Sequence, residues 1–332
     1  MKTAVIGSGA WGTALALCLH KNGHQVTLWT FEKEIVEQMR TTRKNPRLLQ
    51  VTLPEEIQIS SDYACVSGCE LVVIACPSFP IRSVSRGVAP YLDKDTVLVS
   101  VTKGIEQGTH LRMSQIVEQE TGGQVVVLTG PSHAEEVAQA LPTGCLAACE
   151  DRALAEFVQD AFMSDTFRIY TSPDAVGAEL GAALKNVIAL CAGVTDGLGY
   201  GDNTKAMLMT RGLTEIARLG VAMGARKETF TGLSAVGDLI VTCTSMHSRN
   251  RRAGILIGQG MDPKAAMQEV GAVVEGYYAA ASAWELAKEQ GVDLPIVNAA
   301  YRVLYEGASA KDVVRDLLHR QGRAESEDPG WL

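Results

Sequence analysis

The chain has 332 residues, and at roughly 150 residues per domain that predicts two domains. A hydrophobic fraction of 46% with 20% charged residues excludes a largely disordered protein. The net charge of −8, of which residues 1–182 carry −7 and residues 183–332 carry −1, excludes a nonspecific nucleic-acid binder, which needs a basic stripe.

From the start, short β-branched runs alternate with amphipathic segments. Strands are expected at 3–6, 25–29, 57–60, 71–75, 96–101 and 125–128, with weaker ones at 144–148 and 167–170. Helices are expected at 11–21, 33–42, 81–90 and 111–120. Apolar runs without alternation suit strands buried on both faces, so the fold class is α/β, with an N-terminal doubly wound, mostly parallel sheet. Beyond Pro173 helical periodicity takes over, at 175–192, 205–223, 249–257, 263–267, 274–289, 295–305 and 311–318. The predicted organisation is this doubly wound domain over 1–174, a C-terminal all-helical domain over 175–320 and a polar, frayed tail over 321–332.

The eight cysteines form no CxxC pair and have no zinc spacing with histidine, so no metal site is expected and the thiols read as reduced. The opening residues carry no signal-peptide pattern, and no uninterrupted apolar run reaches the roughly 18 residues of a membrane span. A soluble cytoplasmic protein without a transmembrane segment is the expectation.

The first strand runs into Gly7-Ser8-Gly9-Ala10-Trp11-Gly12, a GxGxxG that opens a helix. Gly7 permits the tight turn, Gly9 lets a pyrophosphate approach the backbone, and Gly12 lets the helix pack on the strand. The free N–H groups and positive dipole of the helix start then face the phosphates. An acid about 20 positions further on would bind the ribose of NAD. Glu32 stands there, but it precedes Lys33 and a helix, so a helix-start acid is the preferred reading and NAD versus NADP stays open.

Ligands of such sheets sit at the carboxyl ends of the strands. Those ends carry Cys76-Pro77-Ser78, Thr102-Lys103-Gly104 and Thr129-Gly130-Pro131-Ser132-His133. Lys103 is the basic group among them, suited to a phosphate or a carbonyl. His133 reads as a helix-start histidine near the surface rather than an acid or base.

In the helical half, Lys185 and Asn186 interrupt an otherwise apolar helix, and burial there would lower the lysine pKa into the range useful for proton transfer. Asp238 is the lone charge between Gly232 and Thr244 and needs a partner, or else caps a helix beside Gly237. Ser248-Arg249-Asn250-Arg251-Arg252 reads as a capped helix start able to receive a phosphate. Glu275 starts another helix from which it could reach the cofactor.

Together these motifs resemble the bacterial-type NAD(P)-dependent glycerol-3-phosphate dehydrogenase family. The resemblance rests on GSGAWGTALA at 7–16, TKGIE at 102–106, GPSHAEE at 130–136, LKNVIALCAG at 184–193, GDLIVTCT at 237–244, SRNRR at 248–252 and VVEGY at 273–277. It implies reversible reduction of dihydroxyacetone phosphate to sn-glycerol 3-phosphate by NADH or NADPH, in a cleft between the two domains. The product would feed glycerophospholipid synthesis, and a homodimer is compatible with the family. By position, Lys185 would donate and accept the proton, assisted by Lys103 and Asp238. Substrate would meet Lys103, Gly130, Ser132, Lys185, Asp238, Ser248, Arg249 and Asn250. The cofactor would meet the glycine loop with Ala10 and Trp11, and also Phe31, Lys103, Ala134, Arg249, Val273 and Glu275. Many family members have Ser at the position of Ala10, and His or Arg at the position of Phe31. Two rival readings are a dehydrogenase of a hydroxy acid or sugar acid and a redox-sensing regulator that binds the dinucleotide without turnover.

Overall fold

The computed structural model describes residues 1–322 and 324–325, so most of the expected polar tail lies outside the described residues. All eight expected strands form: β1 (Lys2–Ile6), β2 (Gln25–Trp29), β3 (Gln58–Ser60), β4 (Leu71–Ile74), β5 (Val97–Ser100), β6 (Val125–Thr129), β7 (Thr143–Ala148) and β8 (Phe167–Ser172). They make one sheet in the order β3-β2-β1-β4-β5-β6-β7-β8. Every pairing is parallel except β6–β7, which is antiparallel.

Alternate residues of each strand feed two cores. Val5, Leu28 and Val73 pack on one face with Leu15 and Leu19, while Ala4, Ile6, Val72 and Ile74 pack on the other with Ile81 and Val84. Both faces are covered by helices, which is why the strands read as unbroken apolar runs. The order of winding reverses between β1 and β4, and the crevice at their carboxyl ends is the ligand position of such sheets.

Three α-helices fall outside the expected ranges: Ala134–Ala138, Arg152–Phe162 and Asp238–Thr244. Asp151 caps Arg152–Phe162 through the N–H groups of Ala153 and Leu154. Asp238–Thr244 follows a single π-helical turn, Leu233–Gly237.

The second half is built round the helix Ala175–Gly197, which is buried along almost its whole length. It is long and apolar enough to cross a membrane, but 83% of its most apolar window is buried within this fold, which makes it a core helix. It crosses Arg249–Gly258 backbone against backbone. A Cβ on Gly254 would lie 2.0 Å from the Leu190 carbonyl oxygen, and one on Gly193 would lie 2.1 Å from that of Arg251. Gly197 and Gly258 repeat the contact one turn on, at 2.2 and 2.3 Å.

The halves are braced together by groups far apart in sequence. Glu179, in the long helix, accepts from the Ser114 N–H at 2.8 Å and the Ser114 hydroxyl at 2.6 Å, and pairs with Arg112. His110 meets Glu285 at 2.7 Å through Nε2 and Glu289 at 3.1 Å through Nδ1. Burial alone would lower this imidazole, but the two carboxylates outweigh it and raise the pKa.

Candidate active site

The glycine loop follows β1 and faces the loop after β4. Gly7 has φ +130°, and a Cβ there would strike the Ala75 carbonyl oxygen at 2.5 Å. A Cβ on Gly12 would come within 2.0 Å of the Gly7 carbonyl oxygen, so the helix Ala10–Lys21 can start only beside a glycine. A Cβ on Gly9 would meet nothing within 4 Å. That open space, next to a helix N-terminus without a side-chain cap, fits a dinucleotide pyrophosphate. Ala10 and Trp11 lie against Ala134, which the fold brings to this helix from the loop after β6. The Trp11 indole packs edge-on to Phe167 at 6.4 Å, so its backbone rather than its ring serves the loop. Phe31, just beyond β2, is 72% exposed.

At the carboxyl ends of β5 and β6 the two halves meet around one carboxylate. Asp238 is 2% exposed and accepts from Lys103 Nζ through Oδ2 at 2.5 Å and from Lys185 Nζ through Oδ1 at 2.9 Å. Lys103 also donates to the Gly130 carbonyl at 3.3 Å, and Lys185 to the Thr242 hydroxyl at 2.5 Å. The Thr242 hydroxyl in turn donates to the Asp238 carbonyl one turn earlier, at 2.6 Å. Asp238 is therefore a counter-ion and not the simple helix cap that was the other reading of it.

The electrostatics follow from this packing. Lys185 is 5% exposed, and its burial, aided by the Lys103 charge, lowers its pKa to about 8 against the pull of Asp238. Burial would raise the Asp238 carboxyl, but the two lysines outweigh it and hold it below the usual range.

The run at 248–252 divides by partner. Ser248 caps its helix by accepting from the Arg251 N–H at 3.2 Å, which leaves its own hydroxyl proton available. Asn250 is buried; it donates to Asn186 Oδ1 at 2.9 Å and accepts from the Gly276 N–H at 2.8 Å. Arg251 is taken up structurally by Asp196 at 2.8 Å. Arg249 is exposed, within electrostatic reach of Glu275. Glu275 accepts from the Ser78 hydroxyl at 2.8 Å, tying the helical half to the end of β4. Val273 lies two residues before it, half-buried. Ser132 donates to the Gly130 carbonyl at 3.0 Å.

His133 does stand at a helix start, as expected, and is half-buried there. Its Nε2 is buried without a partner, its ring lies 5.6 Å from that of His247, and burial, together with the charge of Lys185, lowers its pKa. Thr242, Ser78 and Asn186 were not picked out as site residues. Thr242 stands four residues after Asp238, a spacing that puts both on one helix face and was readable. Ser78 had no comparable signal, because its partner is 197 positions away. Among the described residues no group of three His, Cys, Asp or Glu could hold a metal ion. All eight cysteines are free, and burial pushes the Cys76 and Cys191 thiols up to about 12.

Residues 2–155 match the N-terminal profile of NAD-dependent glycerol-3-phosphate dehydrogenase, and residues 174–315 match its C-terminal profile. A glycerol-3-phosphate dehydrogenase [NAD(P)+] of Thermoanaerobacter sp. is 49% identical over 98% of this chain and 99% of its own length. One of Moorella thermoacetica is 50% identical over 99% of this chain and 98% of its own. The crystal structure of glycerol-3-phosphate dehydrogenase from Coxiella burnetii superimposes with a TM-score of 0.92 at 37% identity, covering 96% of this chain and 99% of that one. With both halves matched in order and the lysine–aspartate cluster at their junction, the chain belongs to the NAD-dependent glycerol-3-phosphate dehydrogenase family.

Proposed function

We propose that this chain interconverts dihydroxyacetone phosphate and sn-glycerol 3-phosphate with NAD(H) or NADP(H), and that Lys185 is its proton donor and acceptor. The observation that carries the reading is the buried Lys185–Asp238–Lys103 cluster at the carboxyl edge of a dinucleotide-binding sheet. The bound nicotinamide supplies the hydride chemistry at the carbon that bears the reacting oxygen. Gly7, Gly9, Gly12 and the backbone of Ala10 and Trp11 would hold the pyrophosphate, with Phe31, Ala134, Val273, Glu275, Lys103 and Arg249 along the rest of the dinucleotide.

Lys185 delivers its proton to the ketone oxygen as negative charge develops there, and takes it back in the oxidative direction. A pKa of about 8 leaves the ammonium largely protonated near neutrality while making it a better acid than a solvated lysine. Asp238 orients that ammonium and keeps it charged. Lys103, on the other oxygen of the same carboxylate, adds positive potential where the oxyanion forms. Arg249 receives the substrate phosphate through its guanidinium fork, with Asn250 and the Ser248 hydroxyl beside it at the helix start. Gly130 and Ser132 would meet the substrate from the loop after β6, where Lys103 and Ser132 both donate to the Gly130 carbonyl. Anchoring the phosphate fixes the carbonyl relative to Lys185, so binding energy remote from the reaction serves orientation.

The reading extends to a role in supplying the glycerophospholipid backbone, to a cytoplasmic location and to a homodimer, the last checked by sedimentation. The test of the central claim is oxidation of NADH and NADPH with dihydroxyacetone phosphate, beside a panel of 2-keto acids. Turnover with a keto acid and none with dihydroxyacetone phosphate sinks the substrate assignment. Unchanged turnover in Lys185→Ala sinks the proton-donor assignment.

A further inference from the structure

Glu32 stands first before the helix Lys33–Thr42, the position of a cap, yet its carboxylate caps no N–H there. It pairs instead with Arg47 Nη2 at 2.5 Å. Arg47 Nη1 reaches the Ser8 hydroxyl, inside the glycine loop, at 3.4 Å. The pairing is not a chance meeting of two surface side chains. Asn45, 1% exposed, donates to the Ser8 carbonyl at 2.8 Å and the Thr13 hydroxyl at 2.6 Å, and accepts the Arg47 N–H at 2.9 Å. Leu48, on the other side of Arg47, is buried against Ala14. The segment carrying Arg47 is thus nailed to the glycine loop at both sides, and the guanidinium is held beside the end of β2.

That place is where a Rossmann sheet reads the adenosine ribose, an acid accepting from a 2′-hydroxyl and an arginine taking a 2′-phosphate. This chain supplies both groups, and in the structure each occupies the other. We propose that Arg47 and Glu32 form a two-way reader of the adenosine 2′-position. With a 2′-hydroxyl, Glu32 accepts a hydrogen bond from it while still tethered to Arg47. With a 2′-phosphate, the phosphate displaces Glu32 and takes the guanidinium fork. Phe31, exposed next to this pair, offers the adenine a flat apolar face. The inference rests on the dinucleotide reading above and adds the residues that set NAD against NADP.

Calorimetric titration with ADP and with adenosine 2′,5′-bisphosphate tests it without turnover. The wild-type chain is expected to bind both. Arg47→Gln should lose about tenfold or more in affinity for the bisphosphate and change little for ADP, the loss of a charge-assisted contact. Glu32→Gln should move the other way, strengthening the bisphosphate and weakening ADP, because Arg47 is then released and the hydroxyl's acceptor loses its charge. Unchanged melting temperatures verify folding, and Glu32→Gln stands as the independent arm should Arg47→Gln fold poorly. Equal changes for both probes, or none, overturn the reader. Failure of the wild-type chain to bind ADP at all would instead overturn the dinucleotide reading.

Discussion

The glycine loop and the lysine–aspartate cluster prepare for negatively charged ligands in opposite ways. The loop at 7–12 uses no charged side chain. Its N–H groups and helix dipole are there because the backbone turns as it does, and the turn needs only that Cβ atoms be missing at Gly7 and Gly12. The cluster at Lys185, Asp238 and Lys103 gathers charges where the two halves meet, with Lys185 and Asp238 buried, which costs stability unless the charges are matched. One region binds by omission and the other reacts by burial. Changes in the first should alter binding with little effect on chemistry, and changes in the second the reverse.

The largest expected effect is Lys185→Ala, with kcat lower by about 10²–10⁴-fold and cofactor affinity retained, read by steady-state kinetics beside a fluorescence titration. A proportional loss of cofactor affinity would erase the contrast. Gly9→Ala should do the opposite, because its backbone φ of −60° suits alanine and its Cβ points into open space. The melting temperature is expected to hold while nucleotide affinity falls.

Asp238→Asn sharpens the cluster side. It removes the group that opposes burial at Lys185, so the lysine pKa must fall below about 8. The alkaline limb of the reductive kcat profile, which needs the protonated amine, should move to lower pH; a shift to higher pH contradicts the assignment. The smallest effect belongs to a group outside the site. Burial raises the Glu215 carboxyl to about 7, against the N–H groups of Ile296 and Val297 that it accepts from. The folded chain therefore holds this proton more tightly than the unfolded one. The stability it contributes is complete below about 4.5 and lost as pH rises through about 7. Glu215→Gln should flatten melting temperature against pH over that window, and an unchanged slope refutes the account.

How legible each part was in the sequence depends on the distance of its cause. The sheet was readable because a strand covered on both faces writes its burial into consecutive residues, as Leu71–Ile74 does. Lys185 was readable because a charge stands out on an apolar helix. The helix Arg152–Phe162 had its own signals, Asp151 and apolar residues at 154, 155, 158, 161 and 162, but the strand pattern on either side hid them. The pairing of Ser78 with Glu275 and the double contact of His110 had no local sign at all, since they exist only once two halves dock. Glu32 does stand at a helix start, as expected, but its ion pair with Arg47 had no local sign for the same reason: Arg47 reaches it only because Asn45 is anchored under the glycine loop.

The four glycines where Ala175–Gly197 crosses Arg249–Gly258 stand apart from the lysine–aspartate cluster, yet they set the spacing of the two helices that carry Lys185 and Arg249. Lys185 rides on one helix and Arg249 on the other, so the span between the proposed proton donor and the proposed phosphate anchor is fixed by how closely two backbones can approach. A single methyl at Gly254 would have to push the helices apart, at a cost of about 1–3 kcal/mol in stability and with a lengthened span between the two groups. On the proposed roles of Lys185 and Arg249, the length of substrate that the site accepts is kept in atoms the chain does not possess.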